Sequence, residues 1–383
     1  MHSGTTASRL CGTVLVLCAI ALGQTLQLQP YDDVRWRRNR PVEGGKDISQ
    51  MDLSQMPDII PTLTFNQKTL WPPAWRMPAG VNPDELLVAA MNPGLGVREL
   101  HNQGITGQGV QVAIIDQAMY LDHPEFTGKI AAYFDAGTGR EQSSMHGPAV
   151  TSLLVGTNTG TAPGAVVYYV GAPSGTLDAQ YMAKGLEWIL EENRKLPPDS
   201  KIRVVSVSAA PSGPGTIFQS NTARWDEVTA AAEAEGVLVL DCTSHRGLTS
   251  SCWLTGGDPE EPTNYAPGFP GRPSGAVPLT RLMAPTSPRT TAEEYDPGDY
   301  GHQYCGRGGL SWAIPYVAGV LALGWQVRPE LDFPQMLRLL FESAYLKEGA
   351  GKIIQPKEFL RLVREFEAGP APQRAVHPRK PRL

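Results

Sequence analysis

The chain has 383 residues, of which 41% are hydrophobic and 19% charged, the composition of a globular protein with room for one large domain or two modest ones. A net charge of −5 and a pI near 5.9 give no electrostatic case for a nucleic-acid partner. With 40 glycines and 34 prolines, connections are numerous and loops irregular.

Residues 1–23 read as an export signal. Arg9 precedes an apolar run over residues 11–22 that ends in Ala21-Leu22-Gly23. The run is too short for a comfortable membrane span, and a bare N-terminal anchor stands as the competing reading. No later segment reaches about 18 uninterrupted apolar residues, so no stable membrane insertion is expected once the signal is removed. Removal also takes Cys11 and Cys18, leaving Cys242, Cys252 and Cys305. Either Cys242 pairs with Cys252 and Cys305 stays free, or all three are unpaired and mostly buried thiols. No CxxC or Cys/His spacing suggests zinc, and no metal site is predicted.

Residues 24–80 lack sustained periodicity and carry RWRRNR at 35–40 together with several prolines, and residues 24–90 are grouped together. They read as an N-terminal extension, either cleaved or lying over the surface; a pro-segment and a flexible leader both fit. From Pro93 the texture changes. Apolar, β-branched runs at 110–115, 165–170, 202–207 and 237–240 are nearly continuous rather than alternating, as strands buried on both faces should be. Between them lie helical patterns at 178–195, with Asp178 placed to cap, and at 223–234. Strands alternating with helices predict an α/β fold, a doubly wound and mostly parallel sheet flanked by helices. Beyond Ser311 an apolar helix runs to about Val327, followed by amphipathic helices near 334–344 and 356–367. Residues 369–383, rich in proline and basic side chains, read as a solvated tail.

Three local contexts suggest chemistry. Asp116 ends the first apolar run, where parallel sheets place their sites. His146 opens SMHGPAV, ahead of an apolar helix. Ser311 sits in GGLSWAIPYVAG (308–319), a glycine turn leading into a helix whose free N–H groups and dipole favour developing negative charge. A serine hydroxyl is a poor nucleophile without an adjacent base, and the order Asp, His, Ser supplies base and carboxylate.

These segments carry a resemblance to the subtilisin-like serine peptidases over residues 94–344. GITGQGVQVAIID resembles the family's opening strand with its acid, HPEF (123–126) its following turn, and SMHGPAV its histidine helix. GTAPGAVVYYV (160–170) looks like its Val-Ala-Pro strand, and GLSWAIPYVAG its serine signature. The resemblance implies a peptidase domain over 91–345, followed at 346–383 by a C-terminal helix and the basic tail. It further implies an exported protein, secreted or periplasmic, with Asp116, His146 and Ser311 hydrolysing peptide bonds of protein or peptide substrates. Ser208, Ala209 and Ala210, in RVVSVSAAP, fall on positions lining the first specificity pocket, beside backbone that pairs with extended substrate.

Departures accompany the likeness. Asp116 is followed by Gln117-Ala118 rather than a Thr/Ser-Gly pair, and His146-Gly147 by Pro148-Ala149. Counting from Gly236 puts His245 where the family has its oxyanion asparagine. Without a side-chain donor there the rate would fall by about 10²–10³. Glu125 matches a family calcium carboxylate, but residues 156–161 offer only Asn158 beside it, so no cofactor and no specific calcium site is predicted. Two rivals remain: a catalytically weak or inactive relative that binds peptides in its cleft, and a nucleotide-binding α/β protein, for which a Walker sequence and an early GxGxxG are missing.

Overall fold

The structure is a computed structural model and describes residues 27–139, 143–173 and 175–367. The export signal at 1–23 and the basic tail at 369–383 lie outside the described residues. An N-terminal layer carries the two-residue strands β1 (Trp36–Arg37) and β2 (Arg40–Pro41), then β3 (Thr64–Asn66) and α1 (Pro83–Ala89). The α/β core follows with α2 (Val97–Asn102), β4 (Gln111–Asp116), β5 (Ile130–Asp135), α3 (His146–Val155) and β6 (Val166–Gly171). It continues through α4 (Gln180–Lys195), β7 (Ile202–Val207), α5 (Thr222–Ala234) and β8 (Leu238–Asp241). Six strands come next: β9 (Thr249–Leu254), β10 (Tyr265–Phe269), β11 (Arg272–Pro273), β12 (Leu282–Ser287), β13 (Arg289–Glu294) and β14 (Tyr300–Cys305). The described chain closes with α6 (Leu310–Val327), α7 (Phe333–Glu342), β15 (Tyr345–Lys347), β16 (Gly351–Ile353) and α8 (Pro356–Glu365).

The central sheet has five parallel strands in the order β5-β6-β4-β7-β8. Because side chains alternate along a strand, β4 is buried on both faces. Val112 and Ile114 pack with Val150 of α3 and Ala318 of α6, whereas Ala113 and Ile115 pack with Leu186 of α4 and Trp225 of α5. That two-sided cover is why the runs read as continuously apolar, and the fold is the doubly wound α/β arrangement their alternation implied. Asp178 stands one residue ahead of the cap position, which is Ala179. Its carboxylate still accepts from the Gln180 N–H at 3.0 Å. The helix α6 is the one helix among the described residues long and apolar enough to cross a membrane, and here it forms the buried centre of the larger core.

One expectation is corrected. The extension does not merely lie over the surface. Val34, Ile48, Leu53, Ile60, Leu63 and Phe65 form a hydrophobic cluster of their own, closed by Leu87 and by Tyr304 of β14. Phe65 stacks on Tyr304 with ring centroids 4.6 Å apart, and β3 pairs with β14 to complete a three-stranded antiparallel sheet. Irregular backbone held by tertiary packing leaves no periodic signature, so sequence pattern alone missed it. Of the two cysteine readings, the unpaired one holds. All three described cysteines are free thiols, and a second sheet, β11-β10-β9-β12-β16-β15, buries Cys252 completely.

Candidate active site

Three chain segments end in one place. β4 stops at Asp116, α3 begins at His146, and α6 begins beside Ser311. The His146 Nδ1 lies 2.7 Å from Asp116 Oδ1, and Asp116 Oδ1 also accepts the Gln117 N–H at 2.8 Å. Gly147 permits this approach of helix to strand end. A Cβ there would stand 2.6 Å from the Gln117 carbonyl oxygen and 2.7 Å from the Tyr169 hydroxyl. Burial pulls the His146 pKa down, but the adjacent Asp116 charge and its hydrogen bond outweigh that and leave it above the ordinary value near 6.5. An imidazole bonded in this way keeps its other nitrogen for proton transfer.

Ser311 follows Gly309, which is extended at φ −117°, and the close-packed Gly308. A Cβ on Gly308 would meet the Thr286 carbonyl oxygen at 2.0 Å, so the turn lies tight against β12. The Gly308 N–H donates to Ser287 Oγ at 2.6 Å. The Trp312 ring lies 5.4 Å from the His146 ring between centroids, which sets the start of α6 beside the imidazole. No hydrogen bond joins Ser311 to His146. Instead the Ser311 hydroxyl donates to the Ser208 carbonyl at 3.1 Å, and the Ser208 hydroxyl donates to the Ser311 carbonyl at 2.8 Å. In the first turn of α6 the Trp312 N–H donates to the Gly309 carbonyl at 3.0 Å, while the N–H groups ahead of it lie before the helix's own carbonyls.

The remaining predicted residues are placed as follows. Ser208, Ala209 and Ala210 continue from the end of β7. The Ala209 carbonyl accepts from the Cys242 N–H at 2.8 Å, and the Ala210 carbonyl from Thr216 Oγ1 at 2.6 Å. His245 packs on Gly213 with its Nε2 3.5 Å from Asp226 Oδ1; no hydrogen bond joins it to Ser311. Sequence reasoning missed the reciprocal Ser208–Ser311 clasp, whose partners are about a hundred residues apart and carry no local signature. Burial pushes the thiols of Cys242, Cys252 and Cys305 up, so none offers a competing thiolate.

Glu125, where the likeness raised calcium, is buried and saturated. The Asn158 N–H and Nδ2 donate to it at 2.9 and 3.0 Å, and His302 Nε2 stands 2.9 Å away. Burial opposes its ionisation, yet these donors hold its pKa down at about 2. A carboxylate already filled by N–H donors and an imidazole does not fit a hard, oxygen-seeking cation.

Comparison with known proteins places this geometry. Residues 107–271 match the sequence profile of the subtilase family of peptidases. Over that stretch the chain resembles the subtilases. The match includes Asp116, His146, Ser208 and His245 and ends before Ser311. The M-protease of Shouchella clausii (strain KSM-K16) is 27% identical over 260 residues, covering 64% of this chain and 61% of its own. Subtilisin NAT of Bacillus subtilis subsp. natto is 25% identical over 236 residues, 58% of this chain and 57% of its own length. The chain thus spans about three fifths of the length of these curated relatives. Among solved structures, one of subtilase cytotoxin SubAB assembly aligns with a TM-score of 0.53 at 16% identity, over 71% of this chain and 95% of that one. The Prenylagaramide maturation protease PagA aligns at 0.51 and 18%, over 70% and 98%. At such identities these two speak to the fold alone.

Proposed function

We propose that this protein is an exported serine endopeptidase, secreted or periplasmic, that hydrolyses peptide bonds through an acyl-enzyme. The observation that supports it most is the 2.7 Å His146–Asp116 bond at the end of β4, set against the helix N-terminus that carries Ser311. In the reaction the Ser311 hydroxyl turns from the Ser208 carbonyl toward His146, a side-chain rotation of the kind unliganded sites commonly await. His146 Nε2 takes the hydroxyl proton as Oγ bonds to the substrate carbonyl carbon. The tetrahedral intermediate then expels the amine, which leaves with that proton. Water repeats the sequence on the acyl-enzyme and frees Ser311. Asp116 holds the imidazole tautomer and stabilises the imidazolium. The Ser311 backbone N–H serves the oxyanion; His245 could add a donor only by leaving Asp226, so a slow enzyme is the expectation. An extended protein or peptide substrate lies along Ser208, Ala209 and Ala210.

A fluorophosphonate probe tests this directly. Labelling of the purified chain that disappears in Ser311→Ala is the expected result. A folded, fully processed sample that resists labelling but retains peptide binding would instead establish a non-catalytic peptide-binding relative. The Ser311–Ser208 bond is the observation that favours this second reading.

A further inference from the structure

Arg307 stands four residues ahead of Ser311, exposed in the turn between β14 and α6. Both of its flanks are pinned. The Gly306 N–H donates to the Leu63 carbonyl at 3.0 Å, and the Gly308 N–H donates to Ser287 Oγ at 2.6 Å. The guanidinium carbon lies 5.4 Å from the centre of the Tyr31 ring, a cation–π contact that fixes a long side chain. The ring is itself wedged in place, because a Cβ on Gly271 would stand 2.6 Å from it. Tyr31 also holds φ at 72°, a left-handed backbone that is strained for an aromatic residue and persists only where packing enforces it. Among the described residues no carboxylate pairs with Arg307 and no hydrogen bond takes its N–H groups. A guanidinium presents five donors in a planar fork that matches a carboxylate, and here the fork is positioned but unspent.

The charge has the wrong sign for the helix it precedes. The start of α6 favours an anion, so a cation just ahead of it does nothing for the helix and adds to the positive potential beside the nucleophile. Four residues of extended chain keep the Arg307 and Ser311 Cα atoms within about 14 Å, a gap that an arginine and an acidic substrate side chain together can close. We propose that Arg307 is a specificity-determining residue that selects a carboxylate side chain, Glu or Asp, on the substrate residue immediately after the cut bond. The inference rests on the peptidase reading of Ser311 and adds the chemistry of the fragment that leaves. The acyl part lies along Ser208, Ala209 and Ala210 at the end of β7, and Ser208 closes on Ser311 from that side. The turn carrying Arg307 is tied to other elements, to β12 through Ser287 and to the N-terminal layer through Leu63 and Tyr31. It therefore borders Ser311 on the flank from which the amine departs. Tyr31 acts as a positioning residue, since a guanidinium already restrained loses less entropy when it closes on a carboxylate. The place is open to water, so the preference has the size of an exposed ion pair and weakens with salt.

The test uses the full chain and an internally quenched peptide that it cleaves, made with either Glu or its neutral isostere Gln directly after the cut bond and amidated at the C-terminus. At neutral pH, where the Glu is ionised, kcat/KM should favour the Glu peptide by about two- to fivefold, the scale of one exposed ion pair. High salt should shrink that preference. Arg307→Gln should bring the two rates level, Arg307→Lys should keep part of the preference, and Tyr31→Ala should weaken it. Each variant is scored by the ratio of its own two rates, so a general loss of activity or stability cancels. Fluorophosphonate labelling of the wild-type chain separates this inference from the reading beneath it. A labelled chain that cleaves both peptides equally, or whose preference for Glu survives Arg307→Gln, would overturn the assignment of Arg307 and leave the peptidase standing. A folded chain that takes no label would overturn both.

Discussion

Ser311 spends its hydroxyl proton on the Ser208 carbonyl while His146 is committed to Asp116. On the proposed mechanism the base is thus prepared before the nucleophile is. Asp116 raises the His146 pKa, so the neutral imidazole is lost as pH falls through a value above the usual ~6.5. The expected kcat/KM profile on a peptide substrate has an acidic limb with its midpoint above that value. Asp116→Asn should shift the limb to lower pH and cut kcat by about 10⁴; an unchanged midpoint would remove Asp116 from the role. The same linkage affects stability in the opposite sense to a carboxylate. The contribution of the His146–Asp116 pair is complete below the unfolded histidine's pKa and is lost as pH rises through the elevated folded one. Glu125 shows the carboxylate case. Its donors hold it at about 2, so its contribution is present above ~4.3 and lost as pH falls toward 2. Glu125→Gln should lower stability by about 1–3 kcal/mol at pH 7 and by much less at pH 2, measured by urea unfolding.

The turn before α6 depends on closeness more than on helix propensity. Gly308 faces the Thr286 carbonyl with no room for a Cβ, and the chain behind it is held by the Gly306 N–H bond to the Leu63 carbonyl at 3.0 Å. Gly308→Ala should therefore push the serine turn off β12, costing about 1–3 kcal/mol and most of the probe labelling. A stable, fully labelled variant would mean that the turn has slack. Gly308, Ser311 and the apolar helix after them are contiguous, and for that reason the element was readable from the chain. The short strands β9 to β14 were not. They pair mostly antiparallel around Gly- and Pro-containing stretches such as YAPGF, and such segments become strands only when neighbours supply their hydrogen bonds.

The N-terminal layer and the α/β core act as one body around the serine loop. β3 extends the β13–β14 hairpin, Phe65 stacks on Tyr304, and Tyr31 lies under the Arg307 guanidinium at 5.4 Å. Removing residues 1–90 should abolish soluble folding or probe labelling, where loss of a dispensable leader would leave both intact. Phe65→Ala, opening a cavity between the layers, should cost about 3–5 kcal/mol in denaturant unfolding. The positions of Asp116 at a strand end and of His146 and Ser311 at helix starts, four of the five parallel strands and the helices between them were legible along the chain. Each depends on a local pattern: an apolar run with a polar end, or a glycine before a helix. The Ser208–Ser311 clasp and the saturated Glu125 were not legible. They arise from contacts between residues far apart in the chain, and whether a buried polar group is satisfied depends on where folding brings its partners.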